Sequence, residues 1–385
     1  MSGPERNGGG GMSDLRLQGL ELRRIAMPLV APFRTSFGTE HARDVLLVRA
    51  VTADAEGWGE CVALSGPFYS AEYVDGAEAF IRRYLVPLLR RSNGSVYALE
   101  RLFEPLKGNP MAKAAVQTAV LDAHLRASGL PLGDFLGAVR DKVPAGVSVG
   151  IMDSIPALLE AVEGYLAAGY LRIKLKIEPG WDVEPVRAVR ERFGDGVLLQ
   201  VDANTAYTLA DADRLARLDP FDLLLIEQPL PEDDLRGHAR LAGLVRTPIC
   251  LDESIVNARA AADAIALGAC RIVNIKPGRV GGYLEARRIH DVCAANGVAV
   301  WAGGMLETGL GRAANLALAA LPGFTLPGDT SASDRYYAQD ITEPFTLDGG
   351  HVGVPTGPGI GVTPIREVLD AVTTATEWIN FTSVS

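Results

Sequence analysis

The first third of the chain carries a period-two hydrophobic pattern that gives way to a helical one. Residues 15–29 (LRLQGLELRRIAMPL) and 44–53 (DVLLVRAVTA) alternate or run apolar, which predicts two strands separated by the loop PFRTSFGTEHAR. The segment WGECVAL at residues 58–64 predicts a third strand of the same sheet. From about residue 70 to residue 129 the apolar spacing is helical, as in MAKAAVQTAVLDAHLRASG. The pattern therefore predicts an α+β domain over residues 13–140.

A different rhythm begins near residue 144, where short apolar runs alternate with amphipathic helical segments. The eight runs are VSVGI, LRIKLKI, GVLLQVDAN, DLLLIEQP, TPICLDES, CRIVNIKPG, VAVWAGGM and FTLPGD. Eight such runs alternating with helices are typical of a closed parallel barrel, so we predict a (β/α)₈ (TIM-like) barrel over residues 141–341. An open doubly wound sheet is the competing fold, but no Gly-rich dinucleotide-binding turn follows the first run.

The two ends of the chain fall outside these predicted domains. Residues 1–12 lack the apolar core of a signal peptide and are predicted to form a disordered leader. Residues 342–385 end in the segment REVLDAVTTATEWI, which we interpret as helical, and they are expected to pack back on the α+β domain. We expect that domain to close the mouth of the barrel with the loop PFRTSFGTEH and the segment around Ser65–Tyr69.

Composition and charge exclude several classes of partner. The 385 residues carry a formal net charge of −10, which argues against a surface for nucleic acid or for anionic membrane. No stretch approaches about 18 consecutive apolar residues, so the sequence predicts no membrane span and a cytoplasmic protein. The cysteines lack any Cys-x-x-Cys pair and are predicted to be reduced, buried thiols: Cys61, Cys250, Cys270 and Cys293.

Polar residues end the predicted strands, where the active sites of barrels lie. Asp202, Glu227 and Asp252 are spaced 25 residues apart, and Lys276 follows 24 residues later. Because this interval is one βα unit, we predict that the four side chains occupy the same level on successive strands and converge. Three carboxylates form an all-oxygen site, which favours Mg²⁺ or Mn²⁺ over zinc. The alternative is that each acid caps the helix that follows it.

Two lysines end the second run. Lys174 and Lys176 lie two residues apart, so both face one side of the strand, and we predict that they point inwards towards the carboxylates. The second and sixth runs are opposite in a ring of eight, so Lys176 and Lys276 should approach a bound substrate from opposite faces. Burial and a neighbouring cation are expected to lower the pKa of such a lysine enough for it to act as a base. The pattern predicts removal of the α-proton of a carboxylate substrate, giving an enediolate that a metal ion stabilises.

These residues resemble the motifs of the enolase superfamily, specifically its muconate-lactonizing subgroup. The matching motifs are Lys-x-Lys at 174–176, Asp-x-Asn at 202–204, Glu-Gln-Pro at 227–229, Asp-Glu-Ser at 252–254 and Lys-Pro-Gly at 276–278. The segments KPGRVGG, GGMLETGLGRAAN and LPGDTSASDRYY are similar to the o-succinylbenzoate synthase/N-acylamino acid racemase family. The resemblance implies racemisation of N-acyl or N-succinylamino acids, or elimination of water to give o-succinylbenzoate in menaquinone synthesis. Dipeptide epimerase or muconate-type cycloisomerase is the alternative activity, and a binding barrel without activity is the non-enzymatic alternative.

The resemblance also implies a role for individual residues. Asp202, Glu227 and Asp252 are implied as the Mg²⁺ ligands, with Mn²⁺ or Co²⁺ as substitutes, and a homo-oligomer from dimer to octamer is expected. Lys176 and Lys276 are implied as the acid/base pair, with Lys174 assisting at the substrate carboxylate. The other residues predicted in the substrate site are Ser148, Asn204, Glu253, Arg279, Gly304, Met305, Leu306, Tyr336, Phe33, Phe37 and Phe68. The phenylalanines are expected to form an apolar wall, or else ordinary interdomain core, and Arg279 to tune the pKa of Lys276 or bind a carbonyl.

Overall fold

A computed structural model describes residues 16–92 and 96–381 of the protein. The leader predicted at residues 1–12 lies outside the described residues. No helix in the two described ranges is long and apolar enough to cross a membrane. All four cysteines are free and buried, as the sequence predicts.

An antiparallel sheet begins the fold with three strands, β1 (Leu17–Thr35), β2 (Gly38–Thr52) and β3 (Glu56–Cys61). The pairing of β1 with β2 runs on to Thr35 opposite Gly38, so most of the loop predicted over residues 32–43 is strand. The loop prediction is wrong because the hairpin resumes its pairing after an irregularity between Pro28 and Phe33, and it turns only at residues 36–37.

Helices pack on this sheet. They are α1 (Val74–Phe80), α2 (Val86–Leu89), α3 (Val96–Phe103), α4 (Pro110–Ala127) and α5 (Leu132–Leu136), with a π-helical turn at Ile81–Leu85. The Ala- and Val-rich α4 is buried along most of its length. It packs directly on two glycines of β3, since a Cβ on Gly57 would lie 2.1 Å from the backbone N of Ala123 and one on Gly59 would lie 2.0 Å from the carbonyl O of Ala115. Small residues on both elements thus allow the close contact.

Seven parallel strands form a second, curled sheet, in which neighbours along the chain are also neighbours in space. After the short β4 (Lys142–Pro144), the strands are β5 (Gly146–Val149), β6 (Arg172–Lys176), β7 (Leu198–Asp202), β8 (Ile226–Glu227), β9 (Ile249–Leu251), β10 (Ile272–Ile275) and β11 (Ala299–Ala302). The helices that connect or follow them are α6 (Ile155–Ala167), α7 (Val183–Phe193), α8 (Ala212–Ala216), α9 (Leu235–Ala242), α10 (Ala258–Ala266), α11 (Pro277–Val280), α12 (Tyr283–Ala295) and α13 (Gly309–Ala319). The first seven predicted runs are therefore strands.

The eighth predicted run, residues 324–329, contacts both edges of this sheet. Phe324 forms a parallel bridge to Val300 of β11, and Gly328 forms one to Ala145, immediately before β5. The backbone N of Asp329 also donates a hydrogen bond of 2.8 Å to the last residue of β11. The segment thus lies between the first and last strands, although its pairing is limited to isolated bridges.

The C-terminal segment returns to the N-terminal sheet. It contains β12 (His351–Gly353), which pairs with β4, then α14 (Arg366–Val372) and β13 (Thr373–Asn380). β13 pairs antiparallel with β1, which gives the strand order β13-β1-β2-β3. The interpretation of residues 366–379 as one helix is wrong after Val372, because the β-branched Thr373, Thr374 and Thr376 favour an extended strand that β1 can pair.

Candidate active site

Three cations share one face of β6. Arg172, Lys174 and Lys176 alternate with two apolar residues, and they are 0%, 2% and 7% exposed. As this alternation predicts, both lysines turn towards the next strand, with their Nζ atoms 3.4 Å and 2.6 Å from Oδ2 of Asp202. Such burial of positive charge requires negative partners nearby, and the neighbouring strands supply them.

The residues at the strand ends do not all lie at the same height along the strand direction of the parallel sheet. Asp202 pairs with Glu227, but Glu227 pairs with Cys250, so Asp252 lies two residues beyond the expected level. Lys276 lies four residues beyond the residue of β10 that pairs with Cys250. The prediction of a single level is therefore wrong for Asp252 and Lys276. The physical reason is that strands in a curled parallel sheet are tilted and staggered, so equal spacing in sequence does not give equal height.

Lys176 is held between two oxygens at the end of β7. Its Nζ donates to Oδ2 of Asp202 and to Oδ1 of Asn204, each at 2.6 Å, and Nδ2 of Asn204 donates to Oε1 of Glu253 at 2.9 Å. Asn204 has a φ of 41°, in the left-handed region that is sparsely populated by residues other than Gly. Burial alone would raise the pKa of Asp202, but the Lys176 ammonium holds it well below its usual range. Burial, together with the charge of Asp252, raises the pKa of Glu253 to about 7.

Lys276 is surrounded differently. Its Nζ lies 2.7 Å from Oδ2 of Asp252 and donates to the hydroxyl of Tyr69 at 3.1 Å, while the Tyr69 ring centroid lies 4.9 Å away. Arg279 forms an ion pair with the other oxygen of Asp252 and donates to a backbone carbonyl at 3.1 Å. Burial and the cation of Arg279 act to lower the pKa of Lys276, but Asp252 outweighs them and raises it well above its usual range. The predicted lowering is therefore wrong for this arrangement, because the nearest charge is a carboxylate.

Two buried carboxylate oxygens in the site lack a hydrogen-bond donor. Among the described residues, Oε2 of Glu227 and Oε2 of Glu253 accept no hydrogen bond, although Nζ of Lys174 lies 3.2 Å from the first. Oδ2 of Asp252 is instead paired with Nζ of Lys276 at 2.7 Å. In the same part of the chain, no three acidic, His or Cys side chains are gathered closely enough to be a ready-made metal cluster, and a lysine or arginine faces each of Asp202, Glu227 and Asp252. Buried oxygens without donors are costly, and oxygen ligands are those that hard divalent cations prefer. The carboxylate oxygens therefore fit Mg²⁺ as ligands, and Lys174 and Lys276 would have to move away from them when the ion binds.

A cavity lies between the antiparallel sheet and the ends of the parallel strands. Its lining combines hairpin and cap residues with strand-end residues: Phe33, Thr35, Phe37, Glu40, Leu64, Tyr69, Ser148, Lys174, Lys176, Asn204, Lys276, Gly304, Met305, Leu306, Asp329 and Tyr336. Glu253 and Arg279, which were predicted in the substrate site, are not among these lining residues. Glu253 accepts a hydrogen bond from Asn204, and Arg279 forms an ion pair with Asp252. The two lysines predicted as acid and base thus open onto the same space.

Phe68 does not join the apolar wall that Phe33 and Phe37 form. Its side chain is 74% exposed, and the prediction that it lines the pocket is wrong. A tight turn in which the N of Phe68 donates to the carbonyl O of Gly66 sends Phe68 outwards. The next residue, Tyr69, packs on Phe37 with ring centroids 5.7 Å apart. The Tyr69 hydroxyl accepts a hydrogen bond from Lys276, which a phenylalanine at this position could not do.

Comparison with known proteins agrees with this geometry. Residues 157–368 match the family described as Enolase C-terminal domain-like, and residues 20–137 match the N-terminal domain of the mandelate racemase/muconate lactonizing enzyme family. The chain belongs to the enolase superfamily.

Individual members of the superfamily are similar over nearly the whole chain. An N-succinylamino acid racemase of an Amycolatopsis species is 70% identical over 366 residues, which cover 95% of this chain and 100% of the relative. An o-succinylbenzoate synthase of Geobacillus stearothermophilus is 50% identical over 355 residues, with 91% and 94% covered. The crystal structure of an enolase-superfamily member from Listeria innocua has a TM-score of 0.91 at 40% identity, and the match covers 95% of this chain and 100% of that one.

Sequence reasoning missed three polar residues of this enolase-superfamily site. Asp329 ends the eighth run as the other acids end theirs, so the same rule would have found it. Asn274 interrupts an apolar strand two residues before Lys276, and its Nδ2 donates to Oε1 of Glu227 at 2.7 Å. The segment around Ser65–Tyr69 was expected at the barrel mouth, but Tyr69 itself was not singled out, since its orientation follows from the turn before it.

Proposed function

We propose that this enolase-superfamily chain is a Mg²⁺-dependent racemase of N-succinylamino acids. We further propose that the same site forms o-succinylbenzoate by syn-elimination of water from its hydroxylated precursor. The observation that carries the proposal is that Lys176 and Lys276 line one cavity from strands separated by three others. The relatives named for these two reactions support the choice of substrates.

The two lysines supply the proton chemistry. An α-carbon held between their Nζ atoms loses its proton to one lysine and receives a proton on the opposite face from the other, which inverts the configuration. Elimination needs a single lysine, Lys176, first as base and then as acid towards the departing hydroxyl. Lys174 stays charged, because Asp329 and Glu227 overcome the effect of burial and raise its pKa well above the usual range. Its ammonium therefore assists at the substrate carboxylate.

Asp202, Glu227 and Asp252 are the residues that would hold the metal. Their three buried carboxylates, of which Glu227 has an oxygen that accepts no hydrogen bond, support Mg²⁺, with Mn²⁺ or Co²⁺ as substitutes. The bound cation would supply positive charge that stabilises the anion formed on proton removal and offsets the carboxylate charge that raises the pKa of Lys276. Asn204 and Glu253 keep Lys176 in place, since Asn204 joins the other two through hydrogen bonds of 2.6 and 2.9 Å.

The remaining part of the proposal concerns the enclosure of the substrate. The rings of Phe33, Phe37 and Tyr336, with Met305 and Leu306, offer an apolar wall for the acyl or aromatic group. We also propose that residues 324–329 close the parallel sheet into an eight-stranded barrel. The hydrogen bond of 3.2 Å from Oγ of Ser148, on β5, to Oδ1 of Asp329 supports this closure.

Hydrogen exchange tests the proposed reaction directly. Each enantiomer of an N-succinylamino acid is incubated in D₂O with protein and Mg²⁺, and the α-hydrogen signal is followed by proton NMR. We expect exchange and racemisation of both enantiomers, loss of both after chelation, and their return when Mg²⁺ is added. The conversion of the hydroxylated precursor to o-succinylbenzoate is followed separately by absorbance.

The matched control is the Lys176→Ala/Lys276→Ala variant, which retains the metal carboxylates and lacks both bases. It should show no exchange above the rate without enzyme. Failure of the wild-type protein to exchange either enantiomer in Mg²⁺, with folding intact by circular dichroism, would contradict the racemase proposal.

A further inference from the structure

A second set of buried charges lies deeper along β6, around Asp329. Oδ1 of Asp329 accepts a hydrogen bond of 2.9 Å from Nη2 of Arg172, and Oδ2 accepts one of 2.7 Å from Nζ of Lys174. Oδ1 also accepts from Oγ of Ser148 at 3.2 Å. Both carboxylate oxygens are therefore engaged by protein groups, and two of the three donors are cations.

Lys174 is shared between Asp329 and the carboxylates proposed to hold the metal. Its Nζ lies 2.7 Å from Oδ2 of Asp329, 3.2 Å from Oε2 of Glu227 and 3.4 Å from Oδ2 of Asp202. The shortest of these contacts is the one to Asp329. A divalent cation on Glu227 and Asp202 must share their oxygens with this ammonium group, and charges a few ångströms apart in a buried site interact strongly.

Arg172 makes the balance of charge depend on Asp329. Its side chain is 0% exposed, and within residues 16–92 and 96–381 Asp329 is the one carboxylate with which it forms an ion pair. Its other contacts are neutral, namely two backbone carbonyl oxygens and the ring of Trp301, whose centroid lies 5.1 Å from the guanidinium carbon. Without Asp329, a full positive charge would remain buried beside Lys174.

The position of Asp329 is fixed by its backbone. Its N donates to the carbonyl O of Ala302 at 2.8 Å, and the preceding Gly328 bridges to Ala145. The carboxylate is thus anchored independently of the groups that it neutralises, and its burial favours a tight charge interaction.

We propose that Asp329 is a positioning residue that neutralises Arg172 and Lys174 and thereby sets the affinity of the adjacent carboxylates for a divalent cation. This inference rests on the function proposed above, in which Asp202, Glu227 and Asp252 hold Mg²⁺. Asp329 acts through Lys174, since it keeps part of the ammonium charge away from the metal oxygens. Metal affinity should therefore follow the net charge of the Arg172–Asp329 pair.

The test is a charge series, measured by isothermal titration of the metal-free, full-length protein with MgCl₂. Asp329→Asn adds one positive charge to the site and should weaken Mg²⁺ binding by about 10-fold or more. Arg172→Met removes one positive charge and should bind Mg²⁺ at least as tightly as the wild type. The double variant restores neutrality and should bind within about 3-fold of the wild type. The control Thr330→Val alters a neutral buried neighbour of Asp329 and should leave affinity within about 2-fold.

Each result of this series decides the inference. The role of charge is overturned if Asp329→Asn binds Mg²⁺ as tightly as the wild type. It is also overturned if the double variant binds Mg²⁺ as weakly as Asp329→Asn. If circular dichroism shows that Asp329→Asn does not fold, the comparison is made between Arg172→Met and the double variant. The double variant should then bind Mg²⁺ about 10-fold more weakly than Arg172→Met. Equal affinity of those two also overturns the inference. A wild-type protein that binds no Mg²⁺ contradicts the proposed function itself, whereas normal wild-type binding with an unaltered series contradicts only the role of Asp329.

Discussion

The hydroxyl oxygen of Tyr69 lies 3.1 Å from Nζ of Lys276, and the aromatic ring covers the same ammonium group with its centroid 4.9 Å away. Tyr69 belongs to the cap, whereas Lys276 follows β10 of the parallel sheet. Of the two lysines proposed as acid and base, Lys276 thus donates a hydrogen bond to the cap, whereas Lys176 donates to Asp202 and Asn204 at the end of β7 in the parallel sheet.

This asymmetry predicts a one-sided effect of Tyr69→Phe. The variant keeps the ring but removes the hydrogen bond to a charged group, so exchange through Lys276 should fall roughly 10-fold or more. Exchange of the other enantiomer, through Lys176, should stay within about 2-fold of the wild type. The measurement is the ratio of the two α-hydrogen exchange rates in D₂O. An equal fall for both enantiomers would show that Tyr69 acts on the fold or on substrate binding in general.

The sequence predicted these site residues with unequal success, and the reasons are physical. Lys174 and Lys176 were placed correctly because successive side chains of a strand point to opposite faces, so residues two apart lie on the same face. The level of Asp252 and Lys276 was wrong because strand stagger depends on how the whole sheet curls, which no local pattern encodes. Tyr69 was missed because a turn decides which of two adjacent aromatic residues points inwards.

The fold, too, was predicted correctly where a local sequence pattern determines the structure. Seven apolar runs became seven parallel strands, since burial on both faces leaves a continuous hydrophobic signature. The segment at residues 32–43 was misassigned because its strand pairing resumes after an irregularity between Pro28 and Phe33. The strand at Thr373–Asn380 was misassigned because its partner, β1, lies far away in sequence. The lowering predicted for the pKa of Lys276 failed for a related reason, since the nearest charge is set by packing.

The aromatic wall gives a matched pair of variants. Phe37→Ala removes a ring that lines the cavity and packs on Tyr69, so the KM for N-succinylamino acids should rise about 10-fold through lost apolar contact. Phe68→Ala changes a neighbouring ring that is 74% exposed and should leave KM and kcat within about 2-fold. Steady-state racemisation kinetics check both. A larger effect of Phe68→Ala than of Phe37→Ala would indicate that Phe68 contacts the substrate.

The three carboxylates proposed to hold the metal should be required for activity but not for folding. Asp202→Asn, Glu227→Gln and Asp252→Asn each remove one negative charge with little change in volume, so each should lower kcat by at least about 100-fold. Circular dichroism should remain that of the wild type, while Mg²⁺ binding measured by titration calorimetry should weaken. A variant with near-wild-type rate and Mg²⁺ affinity would remove its residue from the proposed metal site.

Metal replacement tests the same oxygens by a different route. Activity lost on chelation should return with Mg²⁺ and, to a lesser or similar extent, with Mn²⁺ or Co²⁺, because carboxylate oxygens accept these ions. Zn²⁺ should restore little, since the described site offers neither His nor Cys among the proposed ligands. Initial rates of racemisation after addition of each ion give the comparison. Full activity with Zn²⁺ alone would argue against an all-oxygen site.

The two lysines separate the two proposed reactions. Racemisation needs a proton removed on one face and delivered on the other, so it requires both Lys176 and Lys276 and should fall by about 100-fold or more in either single variant. In the proposed syn-elimination, Lys176 acts as base and then as acid, while Lys276 contributes only charge. Lys276→Arg keeps that positive charge and should abolish racemisation while it spares part of the synthase activity. Lys176→Ala should abolish both activities.

The decisive measurement is enantiomer-specific exchange in the single-lysine variants. Because each base reaches one face of the α-carbon, Lys276→Arg should exchange the α-hydrogen of one enantiomer and Lys176→Ala that of the other. The two variants thus serve as controls for each other, since a general loss of folding or of metal would reduce both exchanges alike. If Lys276→Arg exchanged both enantiomers at comparable rates, the lysines could not act from opposite faces. The placement of Lys176 and Lys276 across the cavity from strands β6 and β10 would then not be the basis of the reaction.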